Sequence, residues 1–525
     1  MKKKAWLPLH FLLATAAAGL LCASIAAADL LQEPLSAIPA TVEDAIHSGE
    51  TPGAVIVVGH QGRVVLRQAF GHRRRAPPQP MTPDAVFDVA SLTKVVATTP
   101  AVLQLVEQGR LQLDAPVGRF WPSFKGHGKD RITVRQLLTH YSGLRPGLLP
   151  KPAWSGYGGA LKQIAADTPP HPPDARFIYS DLNFIILGEL IRRVGGQPIE
   201  DYCRQHIFAP LGMRDTGFRP PRALYGRLAP TMEGSQGVVH DPNTRRMGGV
   251  SGAAGIFSTA DDLALFAQAV LDEGRHSGGK ILDPDTAKAM VQASSPPGKL
   301  PARGLGWAIY SPSGNWSEML PAGSFGHKGF TGTLLWIDPE TRTYLVVLSN
   351  RVYPDGEARP ETLRDKVFAL TVQATGRAAP QLPPETRPGS ALARSRNGVR
   401  VGVDVLATRR FAPLSGKRVG LITNHTGLNA AGRRTIDVLA GAAGVKLRTI
   451  FSPEHGLSGQ ADAKIASGRD AATGLPVYSL YGETRRPTPD MLKDLDALVF
   501  DVQDAGARFY TYMTTMGYAM EAAAK

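Results

Sequence analysis

The chain has 525 residues, 43% hydrophobic and 20% charged, with 56 glycines at no fixed period and two cysteines. That composition excludes a wholly disordered chain, a collagen-like or coiled-coil array and a disulfide framework. Lys plus Arg number 59 against 45 Asp plus Glu, a formal net charge of +14 that favours anionic partners. Nucleic acid is not among them. Basic runs interleaved with aromatics and zinc-finger spacings are both missing, and Arg73-Arg74-Arg75 beside Pro77-Pro78 reads as a solvated loop.

Residues 1–28 carry a secretory signal pattern. Lys2, Lys3 and Lys4 form a positive start, an apolar run extends from Trp6 to Ile25, and Ala26-Ala27-Ala28 offers a small-residue cleavage site. Export to the periplasm or the extracellular space is expected. Leu21 stands where a lipoprotein signal before Cys22 needs a small residue. Cleavage leaves Cys203 alone, so no internal disulfide forms. No later run reaches about 18 apolar residues, so no stable membrane span is expected after cleavage.

The next region, 29–374, opens with strand signals at Ala54–Val58 and Arg63–Arg67 around His60-Gln61-Gly62, a hairpin pattern. Helical spacing follows from Leu92 to Gln108, and residues from about 100 to 290 read as mostly helical. Strands return at Gly304–Tyr310, Leu334–Ile337 and Tyr344–Ser349. Early and late strands bracketing a helical middle predict an α+β domain, an antiparallel sheet with a helical insertion. Residues 375–397, with four prolines and several arginines, read as a linker. In 398–525, apolar strands at Val419–Asn424, Leu447–Phe451 and Ala497–Asp501 alternate with helical patterns at Arg434–Ala442 and Pro489–Leu495. This predicts an α/β, Rossmann-like parallel sheet.

Three motifs in the long region carry chemistry. Ser91-Leu92-Thr93-Lys94 places a hydroxyl and an amine one helical turn apart, so the amine can reach the hydroxyl. A serine needs a base to become a nucleophile, and a lysine serves if burial lowers its pKa. The same spacing at Ser277–Lys280 lies in a glycine-rich loop that cannot hold a helical turn. Tyr179-Ser180-Asp181, with Asn183 nearby, offers a phenol that can shuttle a proton; a tyrosine satisfied in the core is the plainer alternative. Gly326-His327-Lys328-Gly329 before Phe330 is a glycine-flanked strand that substrate backbone can approach, or an ordinary strand-entry turn. No G-x-S-x-G elbow exists, and Gly249-Val250-Ser251-Gly252-Ala253 is the nearest miss.

Taken in that order, these motifs resemble the penicillin-recognising serine hydrolases: the class C β-lactamases, D-Ala-D-Ala carboxypeptidases and their esterase relatives. The resemblance covers about residues 45–370 and implies the β-lactamase/transpeptidase-like fold. It implies Ser91 as nucleophile with Lys94 and Tyr179 as catalytic partners. Asp181 stands where the family usually has Asn, and His327, Gly329 and Phe330 match its Lys-Thr-Gly strand and the residue after it. Backbone N–H groups of Ser91 and Phe330 are then the oxyanion hole. His327 replaces the lysine that helps bind a substrate carboxylate, and Lys328 points to the opposite face of a strand. Both weigh against efficient β-lactam hydrolysis and toward the esterase relatives. Ile132–Leu144 (ITVRQLLTHYSGL) matches a structural stretch of the family.

In the short region, polar residues follow three strands: Asn424, Glu454 with His455, and Gln503 with Asp504. Ligands of parallel sheets bind at such strand ends, and Glu454 is placed for general acid or base work. Caps and turns explain any one of these residues alone. The strings GLITNHTG (420–427), FSPEHGL (451–457), VYSLYG (477–482) and FDVQDAGARFYTY (500–512) resemble the N-terminal half of exo-β-N-acetylmuramidases of peptidoglycan recycling. With the chain stopping at Lys525, a truncated module without glycosidase activity is expected. The two resemblances together imply an exported acyl-enzyme hydrolase of peptidoglycan fragments or small acyl substrates, needing no metal or cofactor. A small-ester hydrolase without a wall role, a non-catalytic wall-binding protein and a glycosidase that the serine domain only targets are the alternatives, and the truncation argues against the last.

Overall fold

The computed structural model describes residues 30–312, 316–357, 362–378, 402–429, 433–454, 456–457, 466–470, 472–503 and 512–524. The signal pattern at 1–28 and most of the linker pattern lie outside the described residues. The chain divides into two units, Met1–Leu382 and Pro383–Lys525.

The first unit is built on a seven-stranded sheet. Its strands in chain order are β1 (Gly53–His60), β2 (Arg63–Arg75), β3 (Pro78–Pro80), β4 (Ala308–Ile309), β5 (Phe325–Gly329), β6 (Thr333–Asp338) and β7 (Thr343–Ser349). In space they run β4-β5-β6-β7-β1-β2-β3, and every pairing is antiparallel. The hairpin expected around His60-Gln61-Gly62 is present, with Ile56 opposite Gln68 and Val347 as its two cross-strand partners.

The central strands are buried along their whole length because both faces are covered. Side chains alternate between the faces of a strand. Val55, Val57, Leu335, Ile337, Val346 and Leu348 enter the larger core with the helical insertion. Ala54, Ile56, Val58, Leu334, Trp336, Leu345 and Val347 enter a second core. Helices α1 (Gln32–His47) and α5 (Leu363–Ala374) close that second core with Leu35, Ile38, Val42, Val367, Phe368 and Val372. This helical layer was not expected from the sequence, and Pro39 inside α1 blurs its pattern.

The insertion contains α2 (Thr99–Glu107), α3 (Asp181–Gly195) and α4 (Ala260–Leu271). The single helix expected from Leu92 to Gln108 is three pieces: a 3-10 turn at Ala90–Leu92, a π-helical turn at Lys94–Thr98, and α2. A small four-stranded sheet, also unexpected, joins Val86–Asp88, Gly217–Phe218, Leu228–Ala229 and Ile256–Ser258. Strands of two or three residues leave little periodicity to detect.

The second unit holds a five-stranded sheet of β8 (Arg418–Thr423), β9 (Lys446–Ser452), β10 (Gly468–Arg469), β11 (Pro476–Ser479) and β12 (Ala497–Asp501). The order is β10-β11-β9-β8-β12. The pairs β8–β9, β8–β12 and β9–β11 are parallel, but β10 pairs antiparallel with β11. The expected all-parallel, Rossmann-like sheet is therefore a mixed sheet. The cause is local: a short turn joins β10 to β11, and a short connection permits only antiparallel pairing. Asp470 shapes that turn, accepting from the Thr473 amide at 3.0 Å and its hydroxyl at 2.8 Å.

Candidate active site

Ser91 sits in the 3-10 turn, and Lys94 opens the next turn of the same segment. Lys94 is fully buried, and its Nζ donates to Ser91 Oγ at 3.0 Å. It also donates to the Ala253 carbonyl at 2.8 Å and lies 2.8 Å from Asp181 Oδ1. Burial pulls the Lys94 pKa down, but the Asp181 carboxylate and Tyr179 outweigh it and hold the ammonium above its ordinary value. The condition for a discharged lysine base, a pKa lowered by burial, is not met. The reason is a counter-ion from a distant segment, which the local motif does not contain.

Asp181 and Tyr179 reach the site from the start of α3. Ser180, the residue before that helix, is fixed twice: its hydroxyl donates to the Arg145 carbonyl at 2.6 Å, and its amide donates to His140 Nδ1 at 3.0 Å. The His140 ring packs on Tyr179 at 4.5 Å between centroids. Ser142, two residues on, donates to Asn183 Oδ1 at 2.6 Å. The stretch Ile132–Leu144 is thus the buttress of Tyr179.

The third motif lies on β5. His327 is buried, and its Nδ1 donates to the Lys328 carbonyl at 2.9 Å. A carbonyl only accepts, so Nδ1 carries the proton and Nε2 the lone pair. Burial, then Arg303 and Lys94, push the imidazole well below its usual range, so His327 is neutral. Lys328 pairs with Asp365 and lies over the Trp316 ring at 5.1 Å. The strand alternation that turns it from His327 is therefore present.

The β5–β6 turn clamps the segment leading to Ser91. Thr331 Oγ1 donates to the Asp88 carbonyl at 2.7 Å, and Thr333 Oγ1 to the Val89 carbonyl at 3.1 Å. Gly329 makes this approach possible, since a Cβ there would meet the Val89 carbonyl oxygen at 2.6 Å. A cavity of about 440 Å³ is lined by Ser91, Tyr179, Asp181, His240, Gly329 and Phe330, among others. All three motifs meet there.

The sequence reading missed Asp88, His140, His240, Ala253 and Arg303. Ala253 belongs to the run dismissed as a failed serine elbow. Its glycines carried the signal: a Cβ on Gly252 would meet the Phe184 carbonyl oxygen at 2.1 Å. Arg303 is buried and donates to the Gly306 carbonyl at 3.1 Å, and burial lowers its pKa to about 10.

In the second unit, Asn424 Oδ1 accepts from the Thr426 amide at 2.9 Å and hydroxyl at 2.6 Å. The Gln503 amide donates to the Thr426 hydroxyl oxygen at 2.9 Å. Asn424 and Gln503 therefore share a partner. Glu454 follows β9 and is half-buried. His455 and Asp504 lie outside the described residues.

Comparison with known proteins covers both units. The Beta-lactamase family model matches residues 38–369. The model for the N-terminal part of exo-beta-N-acetylmuramidase NamZ matches residues 419–525. An N-acetylmuramyl-L-alanine amidase of Bacillus subtilis (strain 168) is 31% identical over 363 residues, spanning 60% of this chain and 82% of the relative. Peptidoglycan beta-N-acetylmuramidase NamZ of the same organism is 51% identical over 127 residues, 24% of this chain and 31% of that protein. A penicillin-binding protein homologue from Caulobacter crescentus has the fold of the first unit. Its TM-score is 0.56 at 23% identity, over 66% of this chain and 99% of that one.

Proposed function

The chain belongs to the Beta-lactamase family, and from that premise we propose an exported serine hydrolase that forms an acyl-enzyme on Ser91. Its substrates are peptidoglycan-derived peptides, amides or esters. The observation that carries the reading is the 3.0 Å contact from Lys94 Nζ to Ser91 Oγ at the wall of a cavity that Tyr179 shares.

Lys94 donates to Ser91, so the serine's own proton points elsewhere. Tyr179, beside the Lys94 ammonium, relays that proton toward the leaving group as Oγ attacks the acyl carbon. The carbonyl electrons move to oxygen, and the backbone N–H groups of Ser91 and Phe330 receive the oxyanion. Collapse breaks the scissile bond, and Tyr179 returns the proton to the leaving amine or alcohol. Water, its proton passed through Tyr179 to Ser91 Oγ, then cleaves the ester and frees Ser91. Asp181 keeps Lys94 charged throughout.

Two supports favour peptidoglycan: the relatives named for wall amides and muramic acid, and a net charge of +14 facing an anionic polymer. One observation favours the small-ester reading: the neutral His327 ring lies 6.1 Å from that of Tyr179, and Lys328, which lines the cavity, is paired with Asp365. The test is product analysis after incubation with muropeptides and with short p-nitrophenyl esters. The proposal expects turnover of both by the wild type and of neither by Ser91→Ala. Turnover of esters alone selects the second reading, and full activity of Ser91→Ala overturns the mechanism.

A further inference from the structure

The approach to Ser91 is strained. Ala90, the residue before it, has φ of 49°, a left-handed conformation that a residue with a Cβ adopts only when its surroundings impose it. Two contacts do so: the Ala90 amide donates to Asp88 Oδ1 at 2.8 Å, and the Thr93 hydroxyl donates to the Ala90 carbonyl at 2.7 Å. The other oxygen of Asp88 accepts at 2.6 Å from the amide of His240, which lines the cavity. The His240 ring stacks on Phe330 at 5.5 Å, and Phe330 follows the glycine-flanked strand.

One residue therefore holds three pieces of the site, two by its carboxylate and one by its backbone. It fixes the nucleophile's turn directly and the His240–Phe330 wall through a single amide, and its own backbone carbonyl receives Thr331. The Asp88 residue is only 2% exposed. The nearby cation, Arg245, spends its donors on the carbonyls of Val239 at 3.0 Å and His240 at 2.8 Å. A buried carboxylate answered only by two amides is costly, and an asparagine would fill the same volume without charge. Only a group that accepts on both oxygens serves both amides.

We propose that Asp88 is a positioning residue for the acylation step, its ionised carboxylate setting the Ser91 turn and the Phe330 wall in register. It touches no reacting atom and acts through Ala90 and His240. The inference rests on the acyl-enzyme reading of Ser91.

Protonation breaks the arrangement, because a carboxyl OH is a donor where an acceptor is needed. Burial raises Asp88 to about 6, opposed by the two amides and by Arg245 and reinforced by Asp241. His240, His140 and His327 are each pushed below their usual range by burial, with Arg245 acting on His240 and Arg303 and Lys94 on the other two. Acylation should therefore weaken as pH falls through about 6, with Asp88 as the titrating group.

The test measures the rate of Ser91 acylation by a neutral fluorophosphonate and the affinity for a non-covalent competitor. Both are followed from pH 5 to pH 8 in the full chain. In Asp88→Asn the maximal acylation rate should fall about 30-fold or more while competitor affinity moves less than about threefold, and the acid limb should vanish. Adding Ala90→Gly should recover part of the rate, since glycine adopts the left-handed turn without imposition. Should Asp88→Asn not fold, Ala90→Gly alone decides, and its acid limb should be less than about half as deep as the wild type's. An Asp88→Asn enzyme within about threefold of wild type, or either variant with an unchanged acid limb, overturns the proposal. A wild type that acylates but shows no limb near pH 6 also overturns it, whereas a wild type that never acylates sinks the Ser91 reading and this inference with it.

Discussion

Both units of the chain gather polar side chains at the ends of strands or turns, yet they use them differently. In the second unit the described groups bond to one another across neighbouring strands. Thr423 Oγ1 donates to the Asp501 carbonyl at 2.8 Å, Thr435 pairs with the Asp501 carboxylate, and Thr426 joins Asn424 to Gln503. These bonds close loops and stitch β8 to β12. In the first unit the polar atoms surround a cavity and a fully buried cation, and that cation donates to a serine at the cavity wall. Polar residues at strand ends are common to both. Among the described residues, a buried cation kept beside a hydroxyl at a cavity wall belongs to the first.

The contrast can be broken most sharply at Lys94. Lys94→Met should lower the rate of Ser91 acylation by about 10³-fold, within the range expected for losing a proton-managing group. A loss below tenfold would place the cation in a structural role and make the two units alike.

Asp88 gives the next effect. Its folded-state pKa is raised, so the stability it contributes is complete below about 3.8 and is lost as pH rises through about 6. Relative to Asp88→Asn, the wild type should gain about 2 kcal/mol of unfolding free energy between pH 7 and pH 4, from the raised value of about 6. Activity moves the opposite way over the same range. Denaturant titration at several pH values checks it, and a parallel trend in stability and activity would remove Asp88 from the account.

Asp181→Ala strips the counter-ion from buried Lys94. Because the Asp181 side chain is 36% exposed, the expected cost is about 1–2 kcal/mol, below that of a fully buried pair. Asp181→Asn should cost less. Chemical denaturation of the first unit measures both. In the second unit, Thr435→Val removes a donor to Asp501 and should cost about 1 kcal/mol. Ester turnover per folded molecule should stay unchanged, and a fall in turnover would mean that the second unit's bonds also serve the reaction.

Much of this was legible in the sequence. The hairpin of β1 and β2, the three motifs and the strands that return after the insertion all rest on short-range patterns, with period two in strands and small fixed spacings in motifs. The spacing of Ser91 and Lys94 brought them together as expected, although the backbone between them is a 3-10 turn running into a π-helical turn. What the sequence hid was long-range. The charge state of Lys94 depends on Asp181, and its third contact is a carbonyl at Ala253. Asp88 looks like an ordinary strand residue until its carboxylate is seen holding Ala90 and His240. The mixed sheet of the second unit turned on a two-residue strand too short to leave a pattern.

The most direct measurement is intact-mass and peptide-mapping analysis of the folded protein after a fluorophosphonate probe, with Ser91→Ala alongside. The account predicts one adduct, mapped to Ser91 and missing from the mutant. No adduct on folded wild type, or an adduct that persists in Ser91→Ala, would contradict it.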